Sequence, residues 1–315
     1  VRAMLRSYHL LEMPEDWDQL TFDNHVHDAN TKGRKTPTHL IMDAWIKGIR
    51  NLTVIYYNFV EPRAMQELIQ AADIMGIDTR IGVEFKSRYR GRYVEFIWEP
   101  IGLDGAQGMA EFLEEEAMRH LMQDGRAASA HMAKHVFGML RQYNDNHRHD
   151  LSLLFGINLP EIAENEFLSF VAAGQPSLLH LAELVYKQML PLMLERLPKL
   201  REGHANGTEE EKDFIETLVR YMHDLHPEQI METYFTPEKN PGLDDPNTPG
   251  EGPDIPEFLR ITPQELVSRL STVRPLSRIT LTLSGLRTED VLELLYTCSG
   301  RITHLELFNL KDFAA

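Results

Sequence analysis

The sequence is poor in cysteine. Its one cysteine, Cys298, cannot form an internal disulfide or a cysteine-rich metal site, which favours a reducing compartment and sets the expectation of a cytoplasmic protein. Long apolar runs are missing too. Nothing approaches the roughly 18 consecutive apolar residues of a membrane helix, and Val1-Arg2-Ala3-Met4 lacks the layout of a signal peptide. Positive charge is in deficit. With 32 Lys and Arg against 48 Asp and Glu the formal charge is -16, and such a chain repels phosphate backbones and anionic lipid outside local basic patches. Neither nucleic acid nor a membrane is an expected partner. The sequence also has no Gly-rich phosphate loop, no Gly-x-Ser-x-Gly elbow and no internal repeat. What it does have is 43% hydrophobic residues over 315 positions with ordinary Gly and Pro usage, enough to bury a core without staples.

The pattern along the chain is α/β. Residues 1–18 read as a helical lead-in, and 19–104 then alternate. Strands are expected at Leu20–Phe22, Asn51–Tyr57, Asp78–Phe85 and Arg92–Trp98, with helices opening at Thr36-Pro37 and Glu61-Pro62 and stopping at Gly48 and Gly76. Strands separated by helices are the signature of βαβ units. Over 105–235 helical spacing replaces the strand signal, in Gly108–Met122, Ser129–Tyr143, Leu178–Leu194 and Glu209–Met222. Residues 236–258 hold six prolines and three glycines and read as a loop. The alternation resumes over 259–315, with a helix from Thr262-Pro263, a strand Arg278–Leu283, a helix Thr288–Tyr296 and a strand Arg301–Leu307. Six strands fall short of the about seven or eight that close a barrel. We therefore expect a distorted, incomplete TIM-like (β/α)7 barrel with a large helical insertion, the missing strands lying beyond Ala315.

The sharpest chemical feature is Asp23-Asn24-His25-Val26-His27-Asp28, at the end of the first strand. Residues two apart on a strand share a face, so His25 and His27 can converge on one cation. Two imidazoles and a carboxylate make a usable site for Zn²⁺, Mn²⁺ or Fe, and Glu84, at the end of the third strand, is the candidate carboxylate. The basic run Lys86–Arg92 follows it, and Arg88, Arg90 and Arg92 are candidates to grip an anionic substrate, because guanidinium groups bind phosphate bidentately. Other histidine pairs have simpler readings: His131 and His135 as a solvated helix face, His147 and His149 as loop residues, His223 and His226 as caps at a helix end. Glu111–Glu116 reads as an exposed helix face.

Asp23–Asn58 resembles the opening motif of the polymerase and histidinol phosphatase (PHP) family: an Asp-x-His-x-His strand, then Thr36-Pro37, Ala44, Gly48-Ile49 and the strand Leu52–Ile55. Gly76-Ile77 with Ile81-Gly82-Val83-Glu84 is similar to that family's third-strand motif, in which the Glu is a metal ligand. Thr262–Leu266 and His304–Asn309 resemble its late helix and penultimate strand. The resemblance covers about half the chain, roughly 20–100 and 258–310, and makes this a divergent member.

The departures count as much as the matches. Tyr57-Asn58 stands where the family has Asp-His, Glu95 near its fourth-strand His, and Leu281–Gly285 where it has Ala-His-Pro; its final Asp-His would fall beyond residue 315. The resemblance thus implies metal-dependent phosphoester hydrolysis of a small anionic substrate at a site reduced to His25, His27 and Glu84, with Glu95 as a substitute oxygen ligand and Asp23 orienting His25 or His27. Two alternatives stand beside it. One is a non-catalytic scaffold whose helical insertion binds a protein partner. The other is an amidohydrolase-type barrel, which also opens with His-x-His but cleaves C–N bonds and would need a strand-end Lys.

Overall fold

The computed structural model describes residues 22–307. The expected lead-in over 1–18, the first residues of the expected first strand and the segment from 308 onward lie outside the described residues. Six strands, β1 (Phe22–Val26), β2 (Asn51–Tyr57), β3 (Asp78–Tyr89), β4 (Arg92–Pro100), β5 (Ser277–Thr282) and β6 (His304–Glu306), form one curled sheet in that order. The pairs β1/β2, β2/β3 and β5/β6 are parallel, as expected of βαβ units. β4 runs the other way, antiparallel to both neighbours.

That reversal corrects the reading of the basic run. No helix separates β3 from β4, and Lys86–Arg92 is not a loop. β3 continues to Tyr89, and a two-residue turn follows in which Arg90 (φ 47°) and Gly91 (φ 76°) are both left-handed, the geometry that joins twisted antiparallel strands. Tyr89 and Arg92 close the hairpin as partners. The alternation Phe85, Ser87, Tyr89 against Lys86, Arg88 carried this signal.

Strand alternation divides the sheet into two chemical faces. One carries Val54, Tyr56, Ile81, Val83, Phe85, Val94, Phe96, Trp98 and Leu281, all buried. It meets helical partners: Trp98 lies 6.1 Å from Phe112 of α3 (Gly105–Glu114), and Phe85 lies 5.1 Å from Phe258. The connecting helices start and stop where local chemistry directs. α1 (Pro37–Ile46) begins on a Thr36 side-chain cap, and α2 (Pro62–Met75) ends on left-handed Gly76. α10 (Pro263–Val273) opens on a capping box between Thr262 and Glu265, and α11 (Thr288–Thr297) precedes β6. The opposite face of the sheet bears the polar residues discussed below.

The chain divides into two compact units, one comprising the chain up to His131 and from Asn247 onward, the other Met132–Pro246. The boundary falls within α4 (Glu116–Gln142), so the first part of the helical block belongs with the sheet. The second unit also contains α5 (Arg148–Phe155), α6 (Glu164–Val171), α7 (Leu178–Asn206), α8 (Glu209–Asp224) and α9 (Pro227–Tyr234), around a core that includes Phe155, Phe167, Leu181, Val185 and Ile230. His147 and His149, read as loop residues, are helical: a π-helical turn at Tyr143–His147 runs into α5. His147 is buried, and its Nε2–H donates to Oδ1 of Asn240 at 2.8 Å while the Asn240 amide donates to the carbonyls of Tyr234 and Thr236. His147 therefore anchors the Pro-rich segment; its isolated polar sequence context hid that role. Among the described residues no helix is long and apolar enough to cross a membrane.

Candidate functional site

The polar face of the sheet gathers its chemistry at the C-terminal ends of the parallel strands. Register places Tyr57 beside Glu84, Lys86 beside Glu95, and Thr282 beside Glu306. His25 belongs to β1 and His27 follows its end; their rings meet edge to face with centroids 5.1 Å apart. Both imidazoles are held through Nδ1. His25 Nδ1 lies 2.8 Å from Oε1 of Glu306, and His27 Nδ1 donates to the carbonyl of Ile55 at 2.9 Å. On its other side, His25 Nε2 faces Oε2 of Glu84 at 3.9 Å, while His27 Nε2 is 3.4 Å from the Tyr57 hydroxyl.

Electrostatics follow from this crowding. Burial, reinforced by the charge of Glu95, pushes the Glu84 carboxyl up to about 7. Burial pulls His25 down, but its hydrogen bond to Glu306 and the charges of Glu306 and Glu84 outweigh that and hold it above the usual imidazole value. Glu306 is held low: burial alone would raise it, and its bonds to His25 and Thr282, with the charges of His25 and Lys32, more than offset that. Burial and the charges of Glu84 and Glu95 raise Tyr57, so its hydroxyl keeps its proton and donates. The Lys32 ammonium sits over the Tyr57 ring, 5.2 Å from its centroid, and acts on His25, Glu84 and Glu306 together.

The structure thus brings together His25, His27 and Glu84 of the expected set. Glu95 stands at the edge of this group, its carboxylate 3.3 Å from Lys86 Nζ. The three arginines point elsewhere. Arg88 pairs with Glu251, Arg90 with Asp290 and Glu293, and Arg92 with Asp290 and the carbonyl of Gly285. Arg90 and Arg92 thus engage carboxylates of α11, and Arg88 one in the Pro-rich segment. Asp23 orients neither ring; its Oδ1 accepts from the His25 backbone N–H at 3.2 Å. Glu306, Lys32, Tyr57 and Thr282 are the residues sequence reasoning passed over. Strand alternation assigns Glu306 to one face of β6, but nothing local announces that its side chain meets His25 of β1.

A divalent cation is what the resemblance implies here, and the donors test it. Among the described residues no group of three or more His, Cys, Asp or Glu side chains is placed to hold a metal ion. The pair His25 Nε2 and Glu84 Oε2 fits part of the coordination of one ion, the remaining positions being left to water or substrate oxygens; it does not fit a multinuclear cluster.

No family model matches the sequence, and no curated protein matches it. Solved structures do. A protein from Bifidobacterium adolescentis assigned as a metal-dependent phosphoesterase superposes with a TM-score of 0.53 at 13% identity, covering 92% of this chain and 78% of that one. An amidohydrolase from Chromobacterium violaceum, solved with bound sulfate and no metal, gives 0.50 at 14% identity, covering 93% and 80%. At such identities the likeness is one of fold: this chain shares an α/β architecture with TIM-barrel-like hydrolases.

Proposed function

We propose that this chain is a phosphoesterase-like hydrolase of a small anionic substrate, built on a distorted (β/α)7 barrel of the PHP kind with a metal site reduced to one divalent ion. The carrying observation is the facing pair of His25 Nε2 and Glu84 Oε2, with His25 anchored from behind by Glu306. His25 and Glu84 would hold a divalent ion, which when bound would supply Lewis-acid polarisation of a phosphoryl oxygen and a more acidic water. The chain's own groups do the rest. Burial and Glu95 lift the Glu84 carboxyl to about 7 without a cation, so binding one there would release a proton from it near neutral pH. Lys32 supplies positive charge over the same spot, and the Tyr57 hydroxyl supplies a donor. The Chromobacterium neighbour was solved with bound sulfate, an oxyanion of the substrate class proposed here.

The experiment is metal analysis of protein purified without chelator, with calorimetric titration of Mn²⁺ and Zn²⁺ and hydrolysis of p-nitrophenyl phosphate and its diester. About one bound equivalent and turnover that is lost in His25→Ala and Glu84→Ala support the reading. Less than about a tenth of an equivalent, with no rescue by added Mn²⁺ or Zn²⁺, overturns it. That second result favours the scaffold reading, for which Tyr57-Asn58 in place of an Asp-His pair is the specific support. A scaffold that binds a protein through its helical unit keeps its biological activity when His25 and His27 are both alanine.

A further inference from the structure

β1 and β6 are the two edges of the sheet and share no backbone pairing among the described residues, yet a side chain from each meets at 2.8 Å, His25 Nδ1 on Glu306 Oε1. Glu306 is itself held from β5, its Oε2 accepting from the Thr282 hydroxyl at 3.1 Å. The links run in series: Thr282 on β5 fixes Glu306 on β6, Glu306 fixes His25 on β1, and His25 Nε2 faces Glu84 on β3. Carboxylates accept and do not donate when ionised, so the hydrogen on this bond belongs to His25 Nδ1.

We infer that Glu306 is a positioning residue that sets the His25 tautomer, keeping the proton on Nδ1 and presenting the Nε2 lone pair toward Glu84. A solvated neutral imidazole prefers the proton on Nε2, which would turn a donor toward Glu84 and close the site to a cation. Glu306 reverses that preference by placing an ionised acceptor behind the ring. Holding a ligating histidine through its second nitrogen fixes both tautomer and ring plane, and such partners are worth about 10–100-fold in metal affinity. The role of His25 as a ligand rests on the function proposed above; the tautomer assignment does not.

The test is the ring-nitrogen NMR signature of His25 in the intact chain carrying ¹⁵N-histidine, assigned by loss of its signals in His25→Gln and followed upward in pH until the ring is neutral. In the native protein the Nδ1–H form is expected. Glu306→Ala should move His25 toward the Nε2–H form, and Glu306→Gln, whose amide oxygen still accepts, should restore Nδ1–H. Mn²⁺ titration of the same proteins should show about 10-fold or greater weakening in Glu306→Ala alone. A native His25 in the Nε2–H form overturns the inference without any variant, and so does an unchanged tautomer in folded Glu306→Ala. Should Glu306→Ala fail to fold, the native spectrum decides. A tautomer that shifts while Mn²⁺ affinity stays constant upholds Glu306's role and counts instead against His25 as a ligand.

Discussion

Nη2 of Arg92 donates to Oδ2 of Asp290 at 2.6 Å, tying the start of β4 to the first turn of α11. The same carboxylate receives Nη1 of Arg90 at 3.0 Å, the backbone N–H of Arg287 at 3.2 Å and the Tyr89 hydroxyl at 3.4 Å. Arg90 and Arg92, two of the residues expected to grip a substrate anion, thus clasp a carboxylate of the protein itself. Asp290→Ala should therefore destabilise, lowering Tm by roughly 2–4 °C, and the loss should be acid-dependent. The Arg287 N–H, then the Arg92 and Arg90 charges, hold Asp290 below its ordinary value. Its contribution is present above the unfolded carboxylate pKa and fades as pH falls through the folded one, so the gap between native and variant Tm should narrow toward pH 3. A gap constant in thermal scans from pH 7 to pH 3 would contradict this.

The loop that carries Lys32 to the site depends on a second carboxylate. Asp28 is fully buried; Oδ2 accepts from Tyr56 at 2.6 Å and Oδ1 from the backbone and side chain of Asn30, while its carbonyl accepts from Thr31 and Gly33. Burial dominates and raises its pKa despite these bonds. Tyr56→Phe removes the Oδ2 partner and should cost about 1–3 kcal/mol at neutral pH. For a raised carboxylate the favourable contribution is complete below the unfolded pKa and is lost as pH rises through the folded one. The cost of Tyr56→Phe should accordingly shrink as pH falls and Asp28 takes up its proton, measured by urea unfolding at neutral and acid pH.

Most of the strand positions were legible in the sequence because NLTVIYY, DTRIGVEF and RYVEFIW alternate or run β-branched and aromatic, and helices α1, α2 and α10 because Thr-Pro and Glu-Pro open them, with glycine stops closing α1 and α2. His25, His27 and Glu84 were legible as a group because the ends of parallel strands face one way, and Glu84, though inside the longer β3, lies level with the end of β2. Three things were not. The reversal of β4 turned on Arg90 adopting a left-handed conformation that arginine rarely takes. The arginines' partners, Asp290 and Glu293, lie two hundred residues away in sequence, beyond any periodicity. Glu306 meets His25 only because the sheet curls, a property of accumulated twist and not of any local motif.

Asn58, standing where the resembled family has histidine, has a structural task. It adopts a left-handed backbone (φ 61°), donates from its side chain to Ser129 Oγ at 2.9 Å, and its carbonyl packs against Gly125 of α4 so closely that a Cβ there would lie 2.0 Å from the carbonyl oxygen. Backbone cannot yield as a side-chain tip can. Gly125→Ala should destabilise by about 3 kcal/mol, the upper end of overpacking costs. Asn58→His should leave Mn²⁺ affinity unchanged, because the side chain at 58 reaches toward α4 and Ser129. Calorimetric titration showing tighter binding in Asn58→His would refute that assignment.

Glu84 gives the sharpest pH prediction. Its carboxyl, ordinarily ionised well below neutrality, is lifted to about 7 by burial and then by Glu95. A carboxylate raised in the folded state makes the native protein bind more protons than the unfolded chain, so native stability must fall as pH climbs through the range between the unfolded value and about 7. Glu84→Gln keeps the shape and removes the titration. In chelator-treated protein the variant should match the native chain near pH 5 and exceed it at pH 8, by on the order of 3 kcal/mol as a ceiling. Added Mn²⁺ should reverse the order at pH 8, since the ionised carboxylate of the native chain then gains a cation that the amide holds poorly. Parallel denaturation curves for the two proteins across pH 5–8 would show that Glu84 ionises as an ordinary carboxylate and that the crowding around it carries no electrostatic cost.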